Sequence, residues 1–207
     1  TVLSRGLGDV YKRQVKHILA GTSRKINSDD SYSYRGITQY SWIENSAGYE
    51  HHPRYGFGVI DAVAAINAAN TYTQGQLGNF IYTSWFGGST DSTISDSTTN
   101  TWTISVTAPE GSADIVEFIQ VRVDFTHEAP ETFGISLVSP DGVEMQILNP
   151  FHDATTNPAD DGTFASPTVR PIFMGASGFY GVGIAGDWQV KITAVSYTHL
   201  RAHETRP

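Results

Sequence analysis

Three histidines in this sequence lie in stretches whose residue types could suit catalysis or metal binding. His51 and His52 are adjacent in a glycine-rich stretch, and an imidazole can act as a general base or a metal ligand. The structural alternative for this pair is a solvated loop between two helices. His127-Glu128 begins like the zinc motif H-E-x-x-H, but Glu131 stands where the second histidine is required. We therefore expect His127 to be hydrogen-bonded at a strand end, and we assign no catalytic, cofactor-binding or metal-binding residue.

A second candidate site is an acidic stretch in the last third of the chain. Asp153, Asp160 and Asp161 are close in sequence to Asn149 and Asn157, and oxygen-rich loops of this kind can bind calcium. The spacing is not that of an EF-hand. We interpret the stretch as a solvated acidic loop, with a calcium site as the alternative.

Composition excludes several classes of partner. Acidic residues outnumber basic ones by 21 to 13, which argues against nucleic acid. No apolar run approaches the length of a membrane span. The chain has no cysteine, so disulfides and thiolate metal sites are excluded, and the mild inference is a bacterial source.

Two stretches before residue 73 have helical periodicity. Val15, Ile18 and Leu19 follow the spacing of one helical face, which indicates the end of a helix. Residues 59–70 show the same period, and their small side chains predict close packing against another element. Glycines and a proline between these stretches indicate a loop, and residues 73–100 are rich in Gly, Ser and Thr, as in an interdomain linker.

After residue 100 the apolar residues recur at every second position, the period of a half-buried strand. Five stretches show it: 102–106, 119–125, 135–137, 143–147 and 188–192. The residues Ser139-Pro140-Asp141-Gly142 suit a tight turn between the third and fourth. We expect Trp102 and Trp188 to pack in the core, with a ligand surface as the alternative. These patterns predict a mainly β fold, an antiparallel sandwich or barrel.

The two ends differ in character from the rest of the chain. Residues 1–14 and 195–207 contain five of the 13 basic residues and two of the 21 acidic ones. The stretches RGLGDVYKRQ and VSYTHLRAHET resemble translated sequencing-adaptor read-through. We expect both ends to be non-native and disordered; natural basic tails are the alternative.

Residues 41–72 carry a pattern of unrelated residue types at fixed spacing. The pattern is W-x-x-N-x-A-G from Trp42 to Gly48, followed by Tyr55-Gly56-Phe57-Gly58 and Asp61-Ala62. It resembles the closing segment of the catalytic domain in kexin and furin-like subtilisin serine proteases. Residues 15–22, VKHILAGT, look like the helix that precedes this segment in the family.

The C-terminal half resembles the P domain, also called Homo B, which follows the catalytic domain in that family. The resemblance is carried by residues 121–127, 134–142 and 178–193, the last with the spacing F-x-G-x-x-x-x-G-x-W. It implies a jelly-roll-like β-sandwich preceded by a helical remnant of a subtilisin-like α/β domain. One departure is Glu131-Thr132-Phe133-Gly134, where the family often has Gly-Asp-Leu.

The resemblance also implies what this chain does. The Asp, His and Ser of a subtilase should precede residue 15, and Ser23 follows a helix instead of beginning one, so Ser23 is not expected to be the nucleophile. The domains are then a catalytic-domain tail (15–72), a linker (73–100) and a P domain (101–194) that stabilises the catalytic domain. We expect a fragment of a secreted serine endopeptidase that is inactive by itself, whose partners are its own catalytic domain and peptide substrates. No cofactor is expected in this chain, while calcium is a candidate cofactor of the full-length enzyme.

A function of another class remains open. Residues 100–194 alone would also suit a non-catalytic β-sandwich that attaches a secreted protein to a polymer, surface or partner. That reading gives no reason for residues 41–72.

Overall fold

The computed structural model describes residues 2–34, 37–87, 94–95, 97–125, 132–150 and 170–195. Within these ranges, helices and short strands come first along the chain and six longer strands follow. The elements are α1 (Val2–Thr22), β1 (Tyr32–Tyr34), β2 (Ile37–Tyr40), β3 (Ile43–Glu44), β4 (Glu50–His51), α2 (Ala62–Thr71), β5 (Thr99–Val106), β6 (Ile119–Phe125), β7 (Phe133–Val138), β8 (Glu144–Leu148), β9 (Arg170–Ala176) and β10 (Gly186–Ala194).

Four of the longer strands form one antiparallel sheet in the order β5-β10-β7-β8. Along β10 the residues Trp188, Val190 and Ile192 are buried at every second position. The strand therefore turns one face towards the core, as its alternating sequence predicts. Trp188 contacts the fully buried Phe179 edge to face, which confirms its expected core position.

The remaining two long strands, β6 and β9, pair antiparallel. Val121 of β6 lies opposite Met174 of β9, and both are buried. These side chains join a single hydrophobic cluster with Ile135, Leu137 and the buried face of β10. The predicted mainly β, antiparallel architecture is confirmed, and we call residues 99–194 the β-sandwich.

The turn between β7 and β8 follows its sequence. The amide of Gly142 donates to the carbonyl oxygen of Ser139 at 2.9 Å, and Gly142 has a φ of +85°. Glycine adopts this left-handed conformation without steric cost. The predicted tight turn is confirmed.

Helix α2 begins later than its periodicity predicts. Asp61 is the N-cap, and its carboxylate accepts from the amide of Ala64 at 2.9 Å. Val59 lies before the helix and pairs with Arg24. The helix packs against α1, as its small side chains predict, although none of its residues is fully buried in the described structure.

Other sequence expectations differ from the structure in the N-terminal third. Residues 2–14 belong to α1, so the expected disorder there is wrong; residues 196–207 lie outside the described residues. The two short hairpins β1–β2 and β3–β4 occupy stretches expected to be irregular. Strand β9 was not predicted, and β5 starts at Thr99, inside the expected linker.

Candidate functional site

Ser23 lies at the end of α1, where its hydroxyl donates to the carbonyl oxygen of Leu19 at 2.6 Å. Thr22 makes the same kind of bond to Ile18 at 2.7 Å. The Leu19 carbonyl oxygen also accepts from the Ser23 amide at 3.0 Å, so the Ser23 hydroxyl makes a second local bond to the last turn of the helix. This placement agrees with the expectation that Ser23 is structural.

His52 is fully buried, so the expected solvated loop is wrong at this position. Its Nδ1 accepts from the amide of Arg54 at 3.0 Å, and its Nε2 lies 3.2 Å from the carbonyl oxygen of Asp30. The ring stacks on Tyr55 and lies against Trp42. Both ring nitrogens are engaged with main-chain groups. His52 is therefore a packing residue of residues 11–72, which we call the N-terminal segment.

His51 points in a different direction, towards the β-sandwich. Its Nε2 lies 3.0 Å from the Ser177 hydroxyl. Burial lowers the pKa of His51, and the neighbouring His52 lowers it further. The histidine pair is therefore split between two environments instead of forming one metal or base site.

Asn45 makes the central contact between the N-terminal segment and the β-sandwich. Its amide nitrogen donates to the carbonyl oxygens of Gly178 at 2.8 Å and Tyr180 at 2.9 Å. Its Oδ1 accepts from the amides of Ala47 and Tyr49, each at 3.0 Å. Asn45 is 4% exposed, and both donors and both acceptor positions of its side chain are used.

The backbone on both sides of this contact depends on glycine. Gly181 has a φ of +83°, and a Cβ there would lie 2.7 Å from Cε2 of Tyr49. No larger residue fits without moving the Tyr49 ring. Gly48 has a φ of +81° in the turn that follows Asn45, with open space around its Cα.

Helix α1 supplies the second part of the contact. The Arg13 guanidinium forms a close ion pair with the Glu117 carboxylate and donates to the Leu77 carbonyl oxygen at 3.0 Å. One turn further, Lys16 donates to the main-chain oxygen of Glu117 at 2.9 Å and lies over the Tyr180 ring at 4.9 Å. Because Glu117 is buried, its charge needs these partners.

An aromatic cluster fills the space between these polar contacts. His17 Nδ1 lies 3.2 Å from the Tyr180 hydroxyl and 3.3 Å from the Tyr49 hydroxyl. Burial raises the pKa of Tyr180, and the nearby Glu117 adds to this effect. The Tyr72 ring packs on His17, and its buried hydroxyl has no hydrogen-bond partner within the described residues.

We call this contact the junction. It comprises residues 13, 16, 17, 45, 49 and 51 from the N-terminal segment (residues 11–72) and residues 117, 177, 178 and 180 from the β-sandwich. Its chemistry is that of intramolecular docking: a satisfied buried amide, a buried ion pair and packed rings. Within the described part of the chain, no group of three or more His, Asp or Glu side chains could hold a metal ion. His127, Asp153, Asp160 and Asp161 lie outside the described residues.

A second surface of the N-terminal segment is apolar and exposed. Val63 and Ile66 of α2 are 70% and 62% exposed. Val59 and Ile60, which precede the helix, are also exposed. A groove of about 600 Å³ lies between α1 and the turn at Phe57 and Gly58. Its other lining residues include Tyr11, Val15 and Leu19. Exposed apolar surface of this kind is typical of an interaction site.

Among the described residues, neither α1 nor α2 has the length and hydropathy that a membrane-spanning helix requires.

Residues 116–200 match the family model of the proprotein convertase P-domain. The chain is 28% identical over 203 residues to the Aeromonas extracellular serine protease of Aeromonas sobria, covering 91% of this chain and 32% of that protease. It is 26% identical over 163 residues to kexin of Saccharomyces cerevisiae, covering 76% of this chain and 19% of kexin. The chain therefore spans about a third or less of the length of these relatives.

A solved structure has the same fold. The crystal structure of the Aeromonas sobria serine protease superposes with a TM-score of 0.69 over 89% of this chain and 33% of that one, at 24% identity. The superposed part includes both the helical segment and the β-sandwich, because it covers nearly the whole chain.

Proposed function

We propose that this chain is the C-terminal part of a secreted, kexin-like subtilisin serine endopeptidase, because residues 116–200 match the proprotein convertase P-domain model. In this proposal residues 15–72 close the catalytic domain, and the β-sandwich stabilises that domain through the junction. The relatives that cover most of this chain are serine proteases, and one of them is named as extracellular. Catalysis by the parent enzyme would use acyl-enzyme chemistry with a Ser-His-Asp triad.

The observation that carries the proposal is the exposed apolar face of α2. A helix with Val63 and Ile66 in solvent buries no core of its own, and each such side chain gains about 1.5–3 kcal/mol when it is buried. The same segment is fixed to the β-sandwich by Asn45 and Arg13. A catalytic domain seated on α2 and on the groove would explain both features.

The surface part of the proposal is tested with the chain alone. The double variant Val63→Ser, Ile66→Ser should bind less of an apolar fluorescent dye and self-associate less than the wild-type chain. The matched control Asn67→Ser changes an exposed polar residue of the same helix. Equal dye binding by all three proteins would show that α2 is not an apolar docking surface.

The enzymatic part is tested with the longer gene product. We expect the purified 207-residue chain to leave peptide substrates intact and the gene product extended upstream to cleave them with sensitivity to serine-directed inhibitors. In the extended protein, Val63→Asp should reduce the yield of active enzyme, because it places a charge in the contact with the catalytic domain. Inhibitor-sensitive cleavage by the chain alone, or an extended protein without activity, would contradict the proposal.

Attachment to a polymer is a second candidate function, and exposed aromatic residues favour it. Phe118, just before β6, and Phe173, on β9, are exposed. The ring centroids of Trp85 and Phe173 lie 6.0 Å apart. Such rings can stack on sugar or peptide surfaces. Co-sedimentation of the chain with insoluble polysaccharides, compared with a Trp85→Ser, Phe118→Ser variant, would test it.

A further inference from the structure

We propose that the junction is a pH-sensitive contact: protonation of His17 and His51 in mildly acidic solution weakens the docking of the N-terminal segment onto the β-sandwich. The inference rests on the geometry of the junction and stands independently of the proteolytic function.

His17 is enclosed by groups from both sides of the junction. The ionisable groups that face it are Arg13 and Lys16 from α1, Tyr49 and Tyr72 from the N-terminal segment, and Glu117 and Tyr180 from the β-sandwich. Its neutral Nδ1 can accept a hydrogen bond from either of the hydroxyls that lie 3.2 and 3.3 Å away. Protonation removes that acceptor and adds a charge among packed aromatic rings.

The charge that acts on His17, the Glu117 carboxylate, raises the pKa of His17 but only partly offsets the effect of burial. Arg13, Lys16 and His17 lie at i, i+3 and i+4, so they share one face of α1. Among the described residues a single carboxylate, that of Glu117, faces them, and Arg13 already forms the close ion pair with it. A protonated His17 would be the third positive charge on this face opposite one negative charge.

His51 is the second titrating group and lies on the other side of the aromatic cluster. The Phe57 ring lies between the two histidines, because it contacts His51 at 5.4 Å and both Tyr49 and Tyr180 at about 6 Å. The His51 ring packs closely on Gly178, where an added Cβ would lie 3.0 Å from Nδ1. The ionisable group that acts on it is His52, which lowers the pKa of His51.

The pKa values agree with this geometry and give the direction of the effect. Burial lowers the pKa of His17, with partial compensation by Glu117, and burial together with His52 lowers the pKa of His51. The undocked state therefore binds more protons than the docked state. Docking is at full strength above the ordinary histidine pKa of about 6.5 and weakens as the pH falls below it.

The test uses the full chain with one fluorophore on each side of the junction. The sequence has no cysteine, so Asn67→Cys on α2 and Thr103→Cys on β5, both exposed positions, allow specific labelling for energy transfer. The urea midpoint at which transfer is lost reports undocking. Far-UV circular dichroism on the same samples reports unfolding of the secondary structure.

We compare pH 7.5 with pH 5.5, a window in which histidines titrate and ordinary carboxylates remain ionised. For the chain with both histidines, we expect energy transfer to be lost at a lower urea concentration at pH 5.5 than at pH 7.5. Between pH 7.5 and pH 5.5 the undocking constant at fixed urea should rise by up to about tenfold for each histidine, the ceiling set by an ordinary histidine pKa of about 6.5 in the undocked state. The variant His17→Asn, His51→Gln keeps a hydrogen-bonding group near each engaged nitrogen and should lose this dependence.

The proposal is overturned if the double variant shows the same pH-dependent shift as the wild-type histidines, or if the wild type shows none. Should the double variant fail to fold, NMR titration of His17 and His51 in the wild-type chain decides the question. Folded-state pKa values at or above those of the urea-unfolded chain would refute the proposal, and values below them would support it.

Discussion

Replacement of Asn45 removes the central polar contact of the junction. In Asn45→Ala the carbonyl groups of Gly178 and Tyr180, both on buried residues, lose the donor that satisfies them at 2.8 and 2.9 Å. An unsatisfied buried polar group costs about 1–3 kcal/mol. Two carbonyl groups lose their donor, and water that enters the vacated space can satisfy them in part. We therefore expect the free energy of unfolding to fall by about 2–4 kcal/mol.

Asn45→Asp tests the same contact without a change of shape. A carboxylate would face two carbonyl oxygens at a site that is 4% exposed, so the loss should reach about 3–5 kcal/mol at pH 7.5. The deficit should shrink as the pH approaches 4, because the protonated acid can again donate one hydrogen bond. Urea denaturation followed by circular dichroism and tryptophan fluorescence measures both effects.

The control for Asn45→Asp is Asn67→Asp, which introduces the same charge at an exposed position of α2. It should change the free energy of unfolding by no more than about 0.5 kcal/mol. If Asn45→Asp is as stable as this control, Asn45 does not hold the two parts of the chain together, and the account of the junction given above is wrong.

Two further predictions concern the same contact. Gly181→Ala should lower the free energy of unfolding by more than Gly48→Ala does. Both positions have a φ near +80°, but only a Cβ at 181 would collide with Tyr49. Urea denaturation compares the two variants, and equal losses would show that the collision is relieved at no cost. Glu117→Gln should cost about 2–4 kcal/mol because it leaves the Arg13 charge buried without its partner. The double variant Arg13→Met, Glu117→Met should recover part of that loss in the same assay, and no recovery would refute a contribution from the unpaired charge.

The long strands of the β-sandwich could be predicted because their burial follows the sequence directly. In β5 and β10 the residues alternate between the core and the opposite face, so a period of two appears in the printed letters. Strand β9 lacks that signal, since its residues 170–176 include Pro171 and Gly175 and its burial depends on pairing with β6. Tertiary pairing, not local pattern, makes it a strand.

From the sequence, only the N-terminal side of the junction could be predicted. Asn45 and Gly48 were recognised through the W-x-x-N-x-A-G pattern, but that pattern does not state what Asn45 contacts. Its partners Gly178 and Tyr180 are more than 130 residues away. The sequence context of Arg13 predicts a disordered end, whereas Arg13 lies on helix α1 opposite Glu117, which gives it a buried partner.

The identity of the atoms that Asn45 and Lys16 contact has a consequence for protein engineering. Asn45 donates to the main-chain oxygens of Gly178 and Tyr180, and Lys16 donates to that of Glu117. These acceptors exist whatever side chains stand at those positions, provided that the backbone follows the same path. A β-sandwich grafted from a distant relative should therefore be accepted by this N-terminal segment if it keeps glycine at positions 178 and 181, tyrosine at 180 and an acidic residue at 117, even when the rest of its surface differs.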